Sequence, residues 1–309
     1  MKFVDRIIVY NYKVPFYFRE FLFRALLFYK NKLRNNKLKQ KLPSSKNQYL
    51  SEIKTYGITF LEESSQPKDI HIKQMVEHLN FLDNKYQHNT KESKISYETN
   101  DLGTESLFLD LALDNNLISI AGNYFNSLPK IAFLKAWRVN SGADDLAEMS
   151  FHMDHHGHRF LKAFWYLNDV DEGCGHHEYI RKTHFQPKLD SAIKDAPIEL
   201  KQDIKNKRNL KGKHLMNNEL VINFFKDDLL KISGKEGTCF IEDTRGLHRG
   251  TRMPEGSNRI IYQVLYVPYL SYKDKNSHSK ISDLQSVNQF LSKNSDKKEM
   301  YKSILSEII

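Results

Sequence analysis

Residues 151–158, Phe-His-Met-Asp-His-His-Gly-His, gather four imidazoles and one carboxylate in a short stretch. In an extended strand, residues i and i+2 project to the same face. His152 and Asp154 would therefore point together and offer one nitrogen and one oxygen donor to a metal. A third ligand must come from elsewhere in the chain. The candidate is His248, within Asp243-Thr244-Arg245-Gly246-Leu247-His248-Arg249-Gly250, where the chain leaves a strand-like run. Two imidazoles and one carboxylate on a triangular face leave three positions of an octahedral ion open. That suits iron(II) that must take a bidentate co-substrate and dioxygen together. A closed zinc site would use four protein ligands.

A chelating keto-acid also requires a cation for its far carboxylate. Arg259 lies eleven residues after His248 on the next strand-like run and can return beside the metal. Its guanidinium suits a planar carboxylate because it donates two parallel hydrogen bonds. Arg249 and Arg252 compete for this role, and the strand position favours Arg259. Adjacent strand residues alternate faces, so His155, His156 and His158 are expected on the surface or in a substrate pocket. Arg138 and Lys162 have an inward option, toward an anionic substrate or a solvated rim. Trp137 and Trp165 read as core, and Met149 and Met153 as packing. Two competing readings use the same residues. One is a zinc- or manganese-dependent hydrolase using the whole His-Met-Asp-His-His-Gly-His cluster; the other is a catalytically inactive binding barrel at a membrane surface.

The elements that must position these residues are legible in the periodicity. After Leu128 the apolar period is two. Runs 131–140, 159–169, 176–182, 220–225, 237–243 and 258–267 are rich in aromatic and β-branched residues and predict strands. Ahead of them, 49–63 predicts a helix, a turn at Gly57 and a strand. Residues 69–83 predict a helix, and 106–125 a helical pattern broken at Asn115-Asn116. Residues 84–104 carry no core signal and read as a loop. Short strands after a helical lead-in predict a mainly β fold with flanking helices, a double-sheet jelly-roll barrel. The charged stretch 187–218 is an insert, and 271–309 a polar tail with helical patterns at 281–291 and 297–308.

Charge sets the first 48 residues apart from the remaining 49–309. They hold twelve Lys/Arg against Asp5 and Glu20; the whole chain is +9, so the rest sums to about −1. The basic character thus belongs to the N-terminal segment and implies no nucleic-acid-binding core. Pro15 and the apolar positions from Phe16 to Tyr29 predict a helix. Its aromatics and cations would let it lie on an anionic membrane surface, within 14–41; the alternative is docking on the domain with its cations in water. No apolar run is long enough to span a bilayer. Cys174 and Cys239 without a secretory leader fit a reducing, cytoplasmic setting.

The ordered set His152-x-Asp154, His248 and Arg259 resembles the phytanoyl-CoA dioxygenase superfamily of iron/2-oxoglutarate oxygenases. The resemblance runs from about Tyr49 to Pro268. It takes in the lead-in YGITFLEE, the strand FLKAFWYLNDVDEGCG followed by Thr183-His184, and DTRGLHRG. It implies a double-stranded β-helix (cupin-like) fold and the co-substrates 2-oxoglutarate and O2. It also implies decarboxylation to succinate and CO2 with hydroxylation of a small, lipid- or sugar-linked metabolite. By position, His152, Asp154 and His248 would be Fe(2+) ligands and Arg259 the 2-oxoglutarate anchor. Asn140 would be a further polar contact to 2-oxoglutarate, and Phe164 an aromatic flank. With Asp154 present, hydroxylation is favoured over halogenation. The chain departs from the family pattern at Arg181-Lys182, where relatives carry Pro-Gly. It departs again at Gly250, where they often carry a hydroxyl, and at His176-His177.

Overall fold

Two strands decide the architecture, because each buries both of its faces in different ways. In β4 (Leu161–Tyr166), Leu161, Ala163 and Trp165 pack into a core shared with helices, whereas Phe164 and Tyr166 pack toward a second sheet. In β9 (Asn258–Pro268), Ile260, Tyr262, Val264 and Tyr266 face the helices; Arg259, Ile261 and Gln263 face inward on a cavity. The period of two therefore sorts chemistry from scaffold within one strand.

The computed structural model describes residues 14–30, 42–43, 46–62, 67, 69–89, 92–141, 147–208, 215–268 and 280–309. Most of the basic extension 30–48, part of the 187–218 insert and the start of the 271–309 tail lie outside the described residues. The remaining strands are β1 (Ile58–Phe60), β2 (Lys94–Tyr97), β3 (Pro129–Asn140), β5 (His177–Ile180), β6 (Leu229–Ile232), β7 (Cys239–Glu242) and β8 (His248–Gly250). They form two antiparallel sheets, β1-β7-β4-β9-β3-β2 and β6-β5-β8. The sheets face each other through Phe164, Tyr166, Tyr179, Ile232 and Phe240. This is the jelly-roll of a double-stranded β-helix.

The chain enters through α1 (Phe16–Lys30), α2 (Asn47–Tyr56) and α3 (Asp69–Tyr86). Next come α4 (Thr99–Leu102), α5 (Ser106–Ala112) and α6 (Asn115–Phe125). The stretch between β5 and β6 holds α7 (Gln186–Ala192), α8 (Ile198–Arg208) and α9 (Asn218–Phe224); α10 (Gln285–Lys293) and α11 (Lys298–Leu305) close the fold. Helices cover the outer face of the larger sheet. Tyr262 and Tyr266 of β9 bury their rings there and donate to the carbonyls of Phe108 (2.8 Å) and Ala112 (2.7 Å), so the tyrosines tie α5 to the sheet without leaving a buried hydroxyl unpaired. The break between α5 and α6 is set by Asp114, whose carboxylate caps the Asn116 and Leu117 amides.

Two expectations are corrected. Residues 220–224 lie in α9, with Phe225 as its C-cap, rather than in a strand. Asn217 accepts from the Glu219 and Leu220 amides and nucleates the helix, placing Val221 and Phe225 on one buried side. Residues 84–104 are no loop: they hold β2 and α4, with Ile95, Tyr97, Thr99 and Leu102 buried.

Helix α1 is clamped to the jelly-roll by one acid. Glu20 accepts from His158 (2.7 Å), Arg24 (2.7 Å) and Arg159. Burial alone would raise this carboxyl, but the His158 hydrogen bond, the Arg159 charge and the Arg24 bond outweigh it and hold its pKa down at about 2. A depressed folded pKa gives stability that is present above the ordinary 4.5 and lost as pH falls toward about 2. Glu20→Gln should therefore cost about 3 kcal/mol at pH 7. The gap between variant and parent should close as the pH falls from 4.5 to about 2 in denaturant titrations. An equal gap at both ends would refute the clamp.

Candidate metal centre

The chain brings its three predicted ligands together by pairing two distant segments. His152 and His248 exchange both backbone hydrogen bonds, each N–H to the other's carbonyl at 3.0 Å. The Asp154 amide donates to the Thr244 carbonyl at 2.8 Å. The result places one ligand atom from each of His152, Asp154 and His248 within 4.8 Å of one another, and among the described residues this is the one such group of three.

The imidazoles are preset for metal. Nδ1 of His152 lies 2.9 Å from the Ser150 carbonyl, and Nδ1 of His248 lies 2.9 Å from that of Gly246. A carbonyl only accepts, so each Nδ1 holds the proton and each Nε2 presents a lone pair. Burial, followed by the neighbouring His152, depresses the His248 pKa to about 3, which keeps that ring neutral. Burial would raise the Asp154 carboxyl, but the Lys162 charge, followed by His248 and other imidazoles, holds it well below the usual range. Lys162 Nζ donates to Asp154 Oδ2 at 2.6 Å. The donor set thus arrives as two neutral imidazoles and one carboxylate, the charge state a divalent ion requires.

Beside the donors is a cavity of about 280 Å³ whose lining includes Arg259, Phe164, Gln263, Trp137 and Lys162. Arg259 is buried; its Nη1 donates to the Gly175 carbonyl, and its Nε has no protein partner. Gln263 Oε1 is likewise buried and without a partner. Both residues line the cavity, where a polar ligand would give these atoms the partners that buried polar groups normally have. Gly250 explains how Arg259 comes so close. A Cβ there would stand 2.8 Å from Arg259 Nη2, so the guanidinium occupies the space a hydroxyl side chain would need.

The other candidates separate cleanly. Arg249 turns away, donating to Glu178 at 2.7 Å with its guanidinium over the Phe151 ring, and Arg252 does not line the cavity. His155 meets the Lys207 carbonyl at 3.1 Å, and His158 lies beneath α1; His156 is in the cavity wall. The string of histidines therefore does not act as one cluster. Phe164 lies in the cavity wall, but Asn140 does not. On β3, Phe133, Lys135, Trp137 and Val139 line the cavity, so Asn140 falls on the opposite parity, and its Nδ2 donates to the Glu92 carbonyl at 2.7 Å. Arg138 shares that outer parity and pairs with Asp83 at 3.3 Å.

Trp137 and Met149, expected as core and packing, are in the cavity wall; Trp165 is core, stacked on Tyr262. Lys162 takes its inward option. The alternation 133-135-137-139 is the signal that finds the missed wall residues. His177 faces the cavity and bonds Glu242 at 3.1 Å. Burial lifts the Glu242 carboxyl to about 8, which favours its neutral form. Lys182 adopts φ 69, the left-handed region that favours glycine, so its turn keeps a glycine-like backbone although the side chain is lysine.

No protein-family model matches the chain, and no curated protein matches it in sequence. Solved structures do match in fold. HygX from Streptomyces hygroscopicus, with nickel and 2-oxoglutarate bound, superposes with a TM-score of 0.51 at 14% identity, covering 74% of this chain and 88% of that one. HygX with iron bound gives 0.50 at 15% identity, with coverage of 74% and 88%. EctD from S. alaskensis, with 2-oxoglutarate and 5-hydroxyectoine, gives 0.51 at 11% identity, with coverage of 72% and 76%. The chain has the double-stranded β-helix fold of these proteins.

Proposed function

We propose that this protein is an Fe(II)/2-oxoglutarate-dependent dioxygenase that hydroxylates a small, lipid- or sugar-linked metabolite. The observation carrying this reading is one open donor face, His152, Asp154 and His248, on the same cavity as a buried arginine with an unpartnered Nε. The fold shared with HygX, solved with iron and with nickel and 2-oxoglutarate, supports it. The donor set fits iron because three protein ligands leave room for a chelating co-substrate.

When bound, iron and 2-oxoglutarate would supply dioxygen activation, with 2-oxoglutarate decarboxylated to succinate and CO2 as a C–H bond becomes C–OH. The chain's own residues do the positioning. The Ser150 and Gly246 carbonyls fix the tautomers of the two imidazoles, and Lys162 holds the Asp154 carboxylate. Arg259 would take the far carboxylate of 2-oxoglutarate, with Phe164 as an apolar flank. Phe133, Trp137 and Met149 would bound the substrate's apolar part. The cavity lies at the lower edge of the ligand range of roughly 300–1,000 Å³, which suits a small substrate or one end of a longer one.

Anaerobic protein with iron(II) and 2-oxoglutarate should develop a weak visible charge-transfer band, and Asp154→Ala should lose it. A hydrolase would release product with no such band. Failure of the parent protein to give the band would overturn the reading.

A further inference from the structure

We propose that the outward face of α1 is a docking surface for an anionic lipid bilayer. The inference goes beyond the metal chemistry and does not depend on it. At 3.6 residues per turn, Tyr17, Phe18, Phe21, Arg24 and Ala25 share one side of the helix, and all five are exposed. The aromatics are 70%, 53% and 65% exposed, so three large rings within five residues stand in water. Single exposed apolar residues are ordinary; a contiguous aromatic stripe marks an interaction surface.

The stripe is not waiting to fold back on the domain, because the opposite side of α1 is already engaged. Arg19 Nε donates to the Val14 carbonyl at 3.2 Å, and its guanidinium reaches Gln186. Glu20 holds His158 and Arg159. Phe16 packs edge-on against Phe185 (ring centroids 5.2 Å apart), and Phe23 lies against His158 (4.9 Å). Turning the stripe inward would break this whole set.

Charge selects the occupant. The first 48 residues hold twelve Lys/Arg against two acids, while the rest of the chain is close to neutral. Arg24 sits within the stripe with its side chain 72% exposed. Rings that enter the headgroup boundary beside cations that stay in the headgroup layer are the pattern of an interfacial helix on an acidic leaflet. Among the described residues no helix is long and apolar enough to cross a membrane.

The full chain should co-sediment with vesicles in which about a third of the lipid is phosphatidylserine and the rest phosphatidylcholine. It should bind vesicles of phosphatidylcholine alone at least roughly tenfold more weakly, and raising salt toward about 1 M should release it. The triple variant Tyr17→Ser/Phe18→Ser/Phe21→Ser should lose at least roughly tenfold in binding to the acidic vesicles. Phe81→Ser, at a 59% exposed aromatic on α3, should bind as the parent does. Because all of these positions are exposed, thermal unfolding and the charge-transfer band should not change, so a failure here leaves the metal reading untouched. Equal binding to both vesicle types, or none to either, overturns the proposal. So does a dimer in sedimentation velocity that the triple variant abolishes without any lipid binding.

Discussion

His248→Ala is expected to weaken iron(II) binding by more than about a hundredfold and to abolish succinate formation. Removing an outer partner of a metal ligand already costs roughly 10–100-fold, and on the proposed function this change removes a ligand itself. Two donors would remain, one short of a three-ligand face. His152 sits with its ring centroid 4.2 Å from that of His248, and Asp154 Oδ2 lies 3.6 Å from His248 Nε2. Losing the central imidazole leaves Lys162 as the strongest neighbour of the carboxylate, an ion pair that competes with metal. His177 does not rescue the site: its ring is 5.7 Å from that of His248, and its Nε2 is committed to Glu242. His177→Leu should accordingly keep iron affinity within about threefold, since it removes no ligand. Anaerobic titration with iron(II) followed by calorimetry checks both variants. A His248→Ala protein that binds iron as tightly as the parent would remove the basis for the site.

How far these features could be read from the sequence depended on which residues set them. The proximity of His152 and Asp154 was legible from their i, i+2 spacing, although the expected strand there is reduced to an isolated bridge at His152 and the segment 153–160 is irregular. His248 followed from chemistry, since two donors are not enough, but its reciprocal backbone pairing with His152 is a long-range contact that no local pattern encodes. The long strands β3 and β9 and the central β4 were legible because each carries apolar residues on both faces, as a strand between two packed layers must. The run 220–225 misled because Leu-Val-Ile-Asn-Phe-Phe has strand composition; the deciding residue, the capping Asn217, lies outside it. β2 was missed because its only core residues are Ile95 and Tyr97, set in a polar stretch. Asn140 shows the limit of transfer by position. It stands one residue from the cavity-lining Val139, and a single step along a strand reverses the side chain. Lys162 is the converse case, an inward cation whose partner, Asp154, sits on a different segment.

Arg259 supplies the second large effect, and it separates co-substrate binding from metal binding. Arg259→Ala should weaken 2-oxoglutarate by roughly 100- to 10,000-fold, since a charge-assisted hydrogen bond is worth about 1.5–3 kcal/mol and a guanidinium can make two. Iron affinity should stay near that of the parent, because no ligand atom is touched. Arg259→Lys should recover only part of the loss: the charge returns, but the planar fork does not, nor does the bond from Nη1 to the Gly175 carbonyl that aims it. Gly250→Ser should resemble Arg259→Lys more than a neutral change, since its Cβ would stand 2.8 Å from Nη2 and push the guanidinium from its place. Asn140→Ala should change 2-oxoglutarate affinity less than about twofold, because its amide serves the Glu92 carbonyl outside the cavity. Equilibrium binding of 2-oxoglutarate to the iron-loaded variants under nitrogen measures all four. An unchanged affinity in Arg259→Ala would move the carboxylate-binding role elsewhere on the wall, with Lys94 and Lys135 the remaining cations there that do not hold a metal ligand.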